Sequence, residues 1–584
     1  MYSPGSKSLT MSYFNGGLNI TKPDTEILDC QAASCQNVMN DQLAGLDSRY
    51  GYSALYATSL GSQHVSSMFC YNTFATSTIL FTVGSTLKKD LTSASTALFS
   101  GVAAMRGIEF DGNIYLLDGS GFLQYDGSAA SAVSGYIPSY YINKHPDGTS
   151  GTKYDELNYI QSAFKETFDG NGSATSFYMT YGSLTTQTPT VLVEDVTQTL
   201  SAATAGFTIN YASGIISLTS AAATGVGNVE ITAYKPVLSA DQITNCTFGI
   251  AYGLGIDTNL YLGGNSAYPA RLFWSDTLDA TYFPATSYAD IGVTNDKLTG
   301  FIAHANSLLI WKYNSIYAWN GAPPDNSVTE IYQGEGCIAT DSLRLVGAFP
   351  TCMSQRGVVQ LKTEGLGYRL DLVSEDVNGM TNVRDGIMTE TLANRKLAFG
   401  FVHDKNYFLL LNDTIWVLQY NLIHSENGQI VYPWIPWKTF SNAECFIVKD
   451  DYLYFGGEGN LYKFDPSVNT DNGSAINSFW LGKRFYPAKN MKSAFDYQHW
   501  HVKMSSSIAT STVSYTYYAG SASTSLSKTY TPNATTAFVD YFVRQPVHKK
   551  SSDIQYMIQE NSTNGSFSLI DTEILYRPER RLSV

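Results

Sequence analysis

Charge is scarce in this 584-residue sequence, in which Asp, Glu, Lys and Arg together make up 15%. Long apolar runs are missing as well, since none reaches the roughly 20 residues that a membrane-spanning helix needs. The opening Met-Tyr-Ser-Pro-Gly-Ser-Lys has no apolar core of the kind found in secretory signals. We therefore expect a protein that is made in a cytoplasm, is not exported by the general route and does not span a membrane.

Cysteine is also rare, with seven residues, most of them isolated in apolar, strand-like text. Cys30 and Cys35 form the one close pair, and neither a second pair nor a His-x-x-x-His pattern completes a zinc site. His499 and His501 face the same side of a predicted strand and could hold a metal with Asp496, although a surface-facing strand explains them as well. The sequence predicts reduced, structural thiols and no metal or cofactor.

The signatures of several enzyme classes are absent, among them G-x-S-x-G, H-E-x-x-H, G-x-x-x-x-G-K-[ST] and the dinucleotide fingerprint. Acidic residues near predicted turns could still supply the carboxylate pair of a glycosidase, but tight turns favour Asp for conformational reasons. These residues are Asp111, Asp118, Asp126, Asp404, Asp413 and Asp450. We expect a protein that is not an enzyme.

Basic residues are few over most of the chain: residues 1–480 hold 24 Lys and Arg against 43 Asp and Glu, whereas residues 481–584 hold 12 against 7. Because affinity for phosphates comes from Lys and Arg, the acidic part argues against a protein that grips duplex DNA and suits a surface past which DNA slides. The basic end predicts a solvated rim or a subunit contact rather than a nucleic-acid site. Its candidate residues are Lys549, Lys550, Arg577, Arg580 and Arg581.

Aromatic residues and glycine are plentiful, with 41 Tyr, 29 Phe and 48 Gly, a composition typical of pleated, half-buried strands. Several segments share one form, in which alternating apolar residues lead to an aromatic and then to an Asn or Asp turn. They are GFLQYDG from Gly121, SIYAWNG from Ser315, TIWVLQYN from Thr414 and NLYKFDP from Asn460. Each follows another strand and turn, so the unit is a short antiparallel meander.

The meander recurs about every 40 to 50 residues where copies are adjacent, and weaker copies fill the gaps between the clear ones. Such spacing predicts an all-β protein with a β-propeller of six or seven blades. A chain of separate β-sandwiches is the alternative, although it would show longer units and no recurring aromatic-Asx ending.

The pattern divides the chain into five parts. Residues 1–55 are polar and glycine-punctuated and predict an extended N-terminal assembly arm. Residues 56–135 contain the first blades, and 136–240 contain a loop and an inserted small β-domain. Residues 241–475 hold the remaining blades, and the mildly basic 476–584 predict a C-terminal β-sheet or sandwich region. An alternative for the opening segment is an edge strand and loop of the first blade.

Three phrases carry a family resemblance: YFNGGLN…EILDCQAASCQNVMND…LDSRYGY, GGNSAYPARLFWSDTLDATYFP and the closing SFSLIDTEILYRPERR. Together they resemble the tail hub or nozzle proteins of short-tailed bacteriophages, also called packaged-DNA stabilisation proteins. In addition, FTINYASGIISLTSAAATGVGNVEITAYK resembles a short β-module of phage tail and tail-fibre proteins.

The resemblance implies a structural virion protein, assembled in the host cytoplasm into a ring of six copies in the viral tail. Such a ring would lie below the portal and adaptor proteins, contact fibres or spikes, retain the packaged genome and conduct double-stranded DNA without binding it specifically. The resemblance places assembly residues in the opening segment: Phe14, Gly16, Gly17, Asn37, Arg49 and Tyr50. A carbohydrate-binding or capsule-degrading propeller protein of a phage tail is the alternative function.

Overall fold

The structure is a computed structural model that describes residues 6–41, 45–57, 59–72, 77–89, 96–201, 206–236, 241–323, 325–365, 367–380, 383–440, 443–487, 491–505, 510–532 and 538–579. It is 55% strand and 4% helix, which confirms the expected all-β class. The chain forms two compact units, Met1–Ala97 with Ile331–Val584 and Leu98–Glu330. Within the described ranges, no helix combines the length and apolar character that crossing a membrane requires.

The recurring element is a four-stranded antiparallel meander: six four-stranded sheets of this kind occur among the described residues, and a seventh meander forms part of a six-stranded sheet. They are the blades of the expected β-propeller fold, which is confirmed. The first unit contains blades 5 to 7 and the first three strands of blade 1. The second unit contains blades 2 and 3 and the first three strands of blade 4.

The blades are numbered along the chain, and their strands have these bounds. Blade 1 contains Val65–Asn72, Ser77–Val83, Thr86–Lys89 and Thr96–Ser100; blade 2 contains Arg106–Phe110, Asn113–Leu117, Phe122–Tyr125 and Ala130–Ala132; blade 3 contains Phe248–Tyr252, Asn259–Gly263, Arg271–Trp274 and Tyr288–Asp290; blade 4 contains Leu298–His304, Ser307–Lys312, Ser315–Asn320 and Ser327–Gln333. Blade 5 contains Arg344–Val346, Phe349–Met353, Val358–Glu364 and Gly367–Leu372; blade 6 contains Phe399–His403, Asn406–Leu411, Thr414–Gln419 and Trp434–Lys438; blade 7 contains Cys445–Lys449, Tyr452–Gly457, Asn460–Asp465 and Gly51–Ala54.

Helices are short: the α-helices are Asp241–Thr244 and Leu392–Lys396, and the 3-10 turns are Thr340–Ser342, Glu375–Val377, Ile387–Thr389 and Tyr420–Leu422. A two-stranded hairpin, His424–Glu426 with Gln429–Val431, interrupts blade 6 before its last strand. This insertion is called the blade 6 hairpin below.

The blade sequences explain their own geometry. Asp111, Asp404 and Asp450 begin hairpin turns with φ of 46°, 43° and 51°, and the residue after each also has positive φ. This is the conformation of a two-residue turn whose twist matches that of antiparallel strands, and Asp tolerates it well. In blade 6 the strands Asn406–Leu411 and Thr414–Gln419 are buried at every position, as inner strands covered on both faces must be.

Large aromatic residues fill the blades as expected. Trp311, Trp319, Trp416 and Phe464 are buried, whereas Trp274 is half-buried. Trp274 and Trp319 pack together across blades 3 and 4 with ring centroids 5.4 Å apart. These contacts supply much of the apolar area that holds neighbouring blades together.

Blade 7 is built from both ends of the propeller sequence. Its fourth strand is Gly51–Ala54, which runs antiparallel to Asn460–Asp465 and brings Tyr52 opposite Phe464. A short hairpin, Thr470–Asp471 with Ser474–Ala475, extends the same sheet. Because Gly51–Ala54 lies far from its partners in the sequence, this pairing fixes the N-terminal residues within the first unit.

The inserted β-domain lies between blades 2 and 3. Its larger sheet contains Thr152–Lys153, Ser139–Lys144, Ala163–Gly170, Gly225–Tyr234, Thr190–Val193 and Val196–Thr197, in that order, and its smaller sheet contains Ser176–Tyr178, Ile215–Leu218 and Phe207–Asn210. A core of its own includes Phe164, Phe168 and Val191. Lys144 is buried and reaches Glu166 at 2.9 Å and the Thr180 hydroxyl at 2.8 Å.

The C-terminal region forms a two-sheet sandwich with strands from the start of the chain. One sheet contains Val38–Asn40, Leu46–Ser48, Ser568–Pro578, Ser493–Ser505 and Phe538–Ser551 in that order, with Lys7–Met11 also paired to Ser568–Pro578. The other contains Ala32–Gln36, Ser478–Gly482, Gln555–Glu560, Ser511–Ala519 and Ala522–Tyr530. Trp500 of the first sheet packs on Tyr515 of the second at 5.0 Å, so the two inner faces share one core.

We expect the inserted domain to fold alone, because its two sheets enclose a separate core. A fragment of residues 136–236 should give a strand-rich spectrum and unfold cooperatively in urea, and Phe164→Ala should lower its unfolding free energy by about 3–5 kcal/mol. The exposed Val226→Ala is the matched control and should leave the transition in place. A fragment that stays unfolded in water would contradict the assignment of an independent domain.

Candidate functional site

The N-terminal segment, defined as residues 6–54, is where the sequence predicted assembly residues. The structure corrects the expectation of an extended arm, because the segment's strands belong to the chain's own sheets. Lys7–Met11 pairs with Ser568–Pro578, Ala32–Gln36 pairs with Ser478–Gly482, and Gly51–Ala54 completes blade 7. The physical reason is that buried residues of these strands, such as Met11, Ala32 and Cys35, need a partner sheet, and the sandwich and blade 7 supply it.

The double glycine of the opening phrase is explained by close packing. Gly17 has φ of +67°, and a Cβ there would lie 2.6 Å from the backbone nitrogen of Trp434. A Cβ on Gly16 would lie 2.6 Å from the Sγ of Cys30. The backbone continues the contact, since Leu18 N–H donates to the Trp434 carbonyl at 2.8 Å. Both glycines therefore let the segment approach blade 6 and its own following turn.

Arg49 is the buried charge of the segment, with 1% of its surface exposed. Its two terminal nitrogens donate to the two carboxylate oxygens of Asp471 at 2.8 and 2.5 Å, and its Nε donates to Asn37 Oδ1 at 3.0 Å. The guanidinium also lies over the rings of Trp437 and Phe440, 5.6 and 5.1 Å from their centroids. One side chain thus joins the segment to blade 6 and to the hairpin that extends blade 7.

Asn37, Tyr50 and Phe14 complete these contacts. Asn37 Oδ1 also accepts from the backbone N–H of Lys438 at 2.8 Å, and Asn37 itself adopts φ of 54°. Tyr50 packs edge-on against Trp437 at 5.9 Å, and burial raises the pKa of Tyr50 to about 12. Phe14 is fully buried and packs edge-on against Trp480 at 6.0 Å.

All six predicted assembly residues therefore hold parts of one chain together. The structure does not bring them to an exposed surface: Phe14, Gly16, Gly17, Asn37 and Arg49 are buried and Tyr50 is half-buried. Their part in assembly remains a prediction. They would contribute to assembly indirectly, by stabilising the folded unit to which they belong.

The predicted basic rim lies at one end of the sandwich. Lys550 and Arg577 flank Ala494 on its two sides, and Lys549 lies opposite the next residue, Phe495. Arg577 donates to Asp496 at 3.0 and 3.1 Å, which raises the pKa of the guanidinium. Lys550 pairs with Glu579. Two further rim residues lie outside the described part of the chain: Arg580 and Arg581.

The histidine pair of the same sheet does not form one site. His499 Nδ1 lies 3.4 Å from Glu573, whereas His501 lies 3.2 Å from Asp571 and stacks on Phe542. The third expected partner, Asp496, is bound by Arg577 instead. The two imidazoles thus serve separate ion pairs on the sheet surface.

The aspartates considered for a carboxylate pair lie between strands, four of them in turns, whereas Asp118 and Asp126 immediately precede bends. Asp126 illustrates the reason, because its carboxylate accepts the backbone N–H groups of Ala129 and Ser128, both at 2.8 Å. These hydrogen bonds lower the pKa of Asp126 to about 2. A carboxylate held in this way stabilises its turn as an anion and is unsuited to donating a proton.

A different group brings together three side chains of the types that bind metals. Cys30, His424 and Glu426 are the one set among the described residues in which three ligand-type atoms all lie within 4.8 Å of one another. Cys30 belongs to the N-terminal segment and the other two to the blade 6 hairpin. Sequence reasoning considered Cys30 only beside Cys35, and the spacing His-x-Glu alone is too common to predict its partner.

The fold and these sites define an all-β protein of propeller type. Its N-terminal segment supplies strands to blade 7 and to the C-terminal sandwich. No protein-family model matches the chain. No curated protein matches it either.

Several solved structures are distantly similar to this chain. BamB from Moraxella catarrhalis is 12% identical with a TM-score of 0.28, over 66% of this chain and 90% of that one. The AfRom2 CNH domain is 7% identical with a TM-score of 0.34, over 71% and 99%. Apo AztD from Citrobacter koseri is 11% identical with a TM-score of 0.27, over 71% and 91%. Likenesses at this level carry no argument about what this chain does.

Removing the Arg49 side chain should destabilise the first unit strongly, because Asp471 would keep a buried charge without its partner. We expect Arg49→Met to lower the unfolding free energy by about 3–5 kcal/mol in urea titrations. Arg49→Lys is the matched control that keeps the charge and loses the two-pronged contact, and it should cost less. In the double variant with Asp471→Leu the loss should be smaller than the sum of the single losses. Unchanged stability of Arg49→Met would refute this role.

Asp47 should make the stability of the protein depend on pH. Burial raises its pKa from 3.8 to about 6. Between about pH 4 and 6 the folded state therefore retains a proton that the unfolded chain has lost, so stability falls as pH rises through this window. Asp47→Asn should abolish this fall in stability. Above pH 6 the unfolding free energy of the variant should exceed that of the wild type by up to about 3 kcal/mol. The exposed Asp257→Asn is the control, and identical pH profiles for wild type and Asp47→Asn would contradict the expectation.

Proposed function

We propose that this chain is a structural protein of a phage tail, a hub or nozzle that closes the channel below the portal and adaptor, retains the packaged genome and conducts it during ejection. The observation that carries the proposal is the pairing of the opening and closing phrases that resemble the family. Leu46 lies opposite Leu569, Asp47 lies opposite Ser568, and Lys7–Met11 runs along the same C-terminal strand. Two phrases from opposite ends of the chain thus belong to one structural unit.

The charge distribution supports a conducting rather than a gripping role. Residues 1–480 carry an excess of 19 acidic over basic residues, 43 against 24. Binding to duplex DNA depends on Lys and Arg that displace counterions from phosphates, and acidic surfaces repel phosphates. A channel lined by such surfaces would let DNA pass with little adhesion.

A ring of copies requires a surface that one copy offers to the next. The strand Phe538–Ser551 ends its sheet and, in the described residues, pairs on one side only, with Ser493–Ser505. Phe542 on this strand is 79% exposed and Phe538 is 51% exposed. Long edge strands with exposed apolar residues are normally covered, and a neighbouring subunit would cover this one. Lys549 lies on the same strand and would face an acidic neighbour, whereas Lys550 is paired with Glu579 of its own chain.

Genome retention tests the proposal directly. A phage that lacks this protein should fill its heads and then lose the DNA to added nuclease, and the wild-type gene supplied in trans should restore protection. Phe542→Asp should fail to restore it if the edge strand joins subunits, whereas Leu397→Asp, at an equally exposed leucine (81%), should succeed.

Three outcomes would count against this scheme. Null particles that keep their DNA would overturn the hub proposal, and Phe542→Asp particles that are fully protected would overturn the edge-strand contact. Release of reducing ends from host polysaccharide by the purified protein would favour the capsule-degrading alternative. Imaging the purified protein checks the ring itself, for which the family resemblance implies six copies.

A further inference from the structure

A cavity of about 420 Å³ lies between the N-terminal segment and the blade 6 hairpin. Its lining includes Ser12, Asn15, Cys30, His424 and Glu426. The lining is mixed, with hydroxyl, amide, thiol, imidazole and carboxylate groups, and it opens to solvent. Cys30 is buried at the cavity wall, whereas His424 and Glu426 are half-buried.

The ligand-type atoms of three residues converge at this wall. The Cys30 thiol donates to Glu426 Oε2 at 3.0 Å, and His424 Nε2 lies 3.7 Å from the same oxygen. In a tetrahedral zinc site, ligand atoms about 2.0–2.3 Å from the metal are separated from one another by roughly 3.3–3.7 Å. The first separation is shorter than this range, the second lies at its upper end, and all three ligand-type atoms lie within 4.8 Å of one another, so a metal could be accommodated after side-chain movements.

The imidazole is already oriented for such a role. His424 Nδ1 lies 2.9 Å from the carbonyl oxygen of Leu422, which accepts its proton and leaves the lone pair on Nε2. Metal-binding histidines commonly hold their other nitrogen in this way. Gly16 adds to the arrangement, because its missing Cβ leaves room for the Cys30 sulfur.

A nucleophilic cysteine fits these contacts poorly. Activation by a catalytic dyad requires the imidazole to accept the thiol proton, but here the thiol donates to Glu426. Burial, followed by the hydrogen bond to Glu426, raises the pKa of Cys30, which is the opposite of what a reactive thiol needs. The contact itself is compatible with a metal, since an ion would take the place of the proton between sulfur and carboxylate.

We propose that Cys30, His424 and Glu426 bind a zinc ion, with water from the cavity in the fourth coordination position. Thiolate, imidazole and carboxylate together are a ligand set that Zn²⁺ accepts, whereas Mg²⁺ and Ca²⁺ prefer oxygen ligands alone. Binding releases the thiol proton and involves no change of oxidation state. The ion joins residues 396 positions apart in the chain and fastens the N-terminal segment to the blade 6 hairpin.

Metal content and spectroscopy of the full-length protein test the proposal. After dialysis against zinc and then metal-free buffer, the wild type should retain about one zinc per chain, and Co²⁺ in its place should show thiolate-to-metal charge-transfer absorption. Cys30→Ser and His424→Ala should lose the bound zinc, and Cys30→Ser should lose the charge-transfer band. The matched control Cys70→Ser should keep both signals, as should the double variant His499→Ala/His501→Ala.

A measurement on the unaltered protein guards against variants that fail to fold. A chelator should lower the thermal midpoint of the zinc-loaded wild type, and added zinc should restore it. The proposal is overturned if the wild type retains no zinc after dialysis, if Cys30→Ser retains as much as the wild type, or if the histidine double variant loses it. These outcomes concern metal binding alone and leave the tail-hub proposal to its own test.

Discussion

A guanidinium shielded from water must find its hydrogen bonds and its counter-charge inside the protein, and Arg49 finds both in Asp471 and Asn37. The pair can form only when the N-terminal segment, blade 6 and the hairpin beyond blade 7 have reached their final positions. A mispaired arrangement would leave a buried charge uncompensated, so this ion pair selects one arrangement over alternatives. The rings of Trp437 and Phe440 cover the guanidinium, so water cannot solvate the charge in an arrangement that lacks the ion pair.

The N-terminal segment depends on this anchor because most of its strands pair with strands that are distant in sequence. Ala32–Gln36 pairs with a strand that begins at Ser478, and Gly51–Ala54 pairs with Asn460–Asp465. The entropy of closing such loops must be offset by contacts that form late, so the first unit is expected to fold more slowly than the inserted domain. The two glycines at positions 16 and 17 allow the close backbone approach that makes these late contacts favourable.

The proposed tail function and the proposed zinc ion both depend on the pairing of the N-terminal segment with strands late in the sequence. A hub that retains a pressurised genome needs ends that do not fray, and paired strands, a buried ion pair and a metal would each oppose fraying. The acidic excess of residues 1–480 is compatible with stability because it is spread along many turns, where backbone N–H groups satisfy carboxylates such as that of Asp126.

The sequence by itself determined the strands, turns and blades, because these depend on residues that are close together in the sequence. Alternating apolar residues, aromatic endings and tight turns that contain Asp, such as those at Asp404 and Asp450, predicted strands, hairpins and blades, because strand and turn preferences act within a few residues. The inserted domain was predictable for the same reason, since its run of strands interrupts the blade spacing.

Only the tertiary structure decided where the N-terminal segment lies. Phe14, Asn37 and Arg49 were singled out as assembly residues, yet their partners Trp480, Lys438 and Asp471 are hundreds of positions away. The sequence did not predict the grouping of Cys30 with His424 and Glu426 either. Neither the residues around Cys30 nor those around His424 indicate that the two stretches are in contact. Which distant strands pair is set by the summed burial and charge compensation of the whole fold, a quantity that no short stretch of sequence contains.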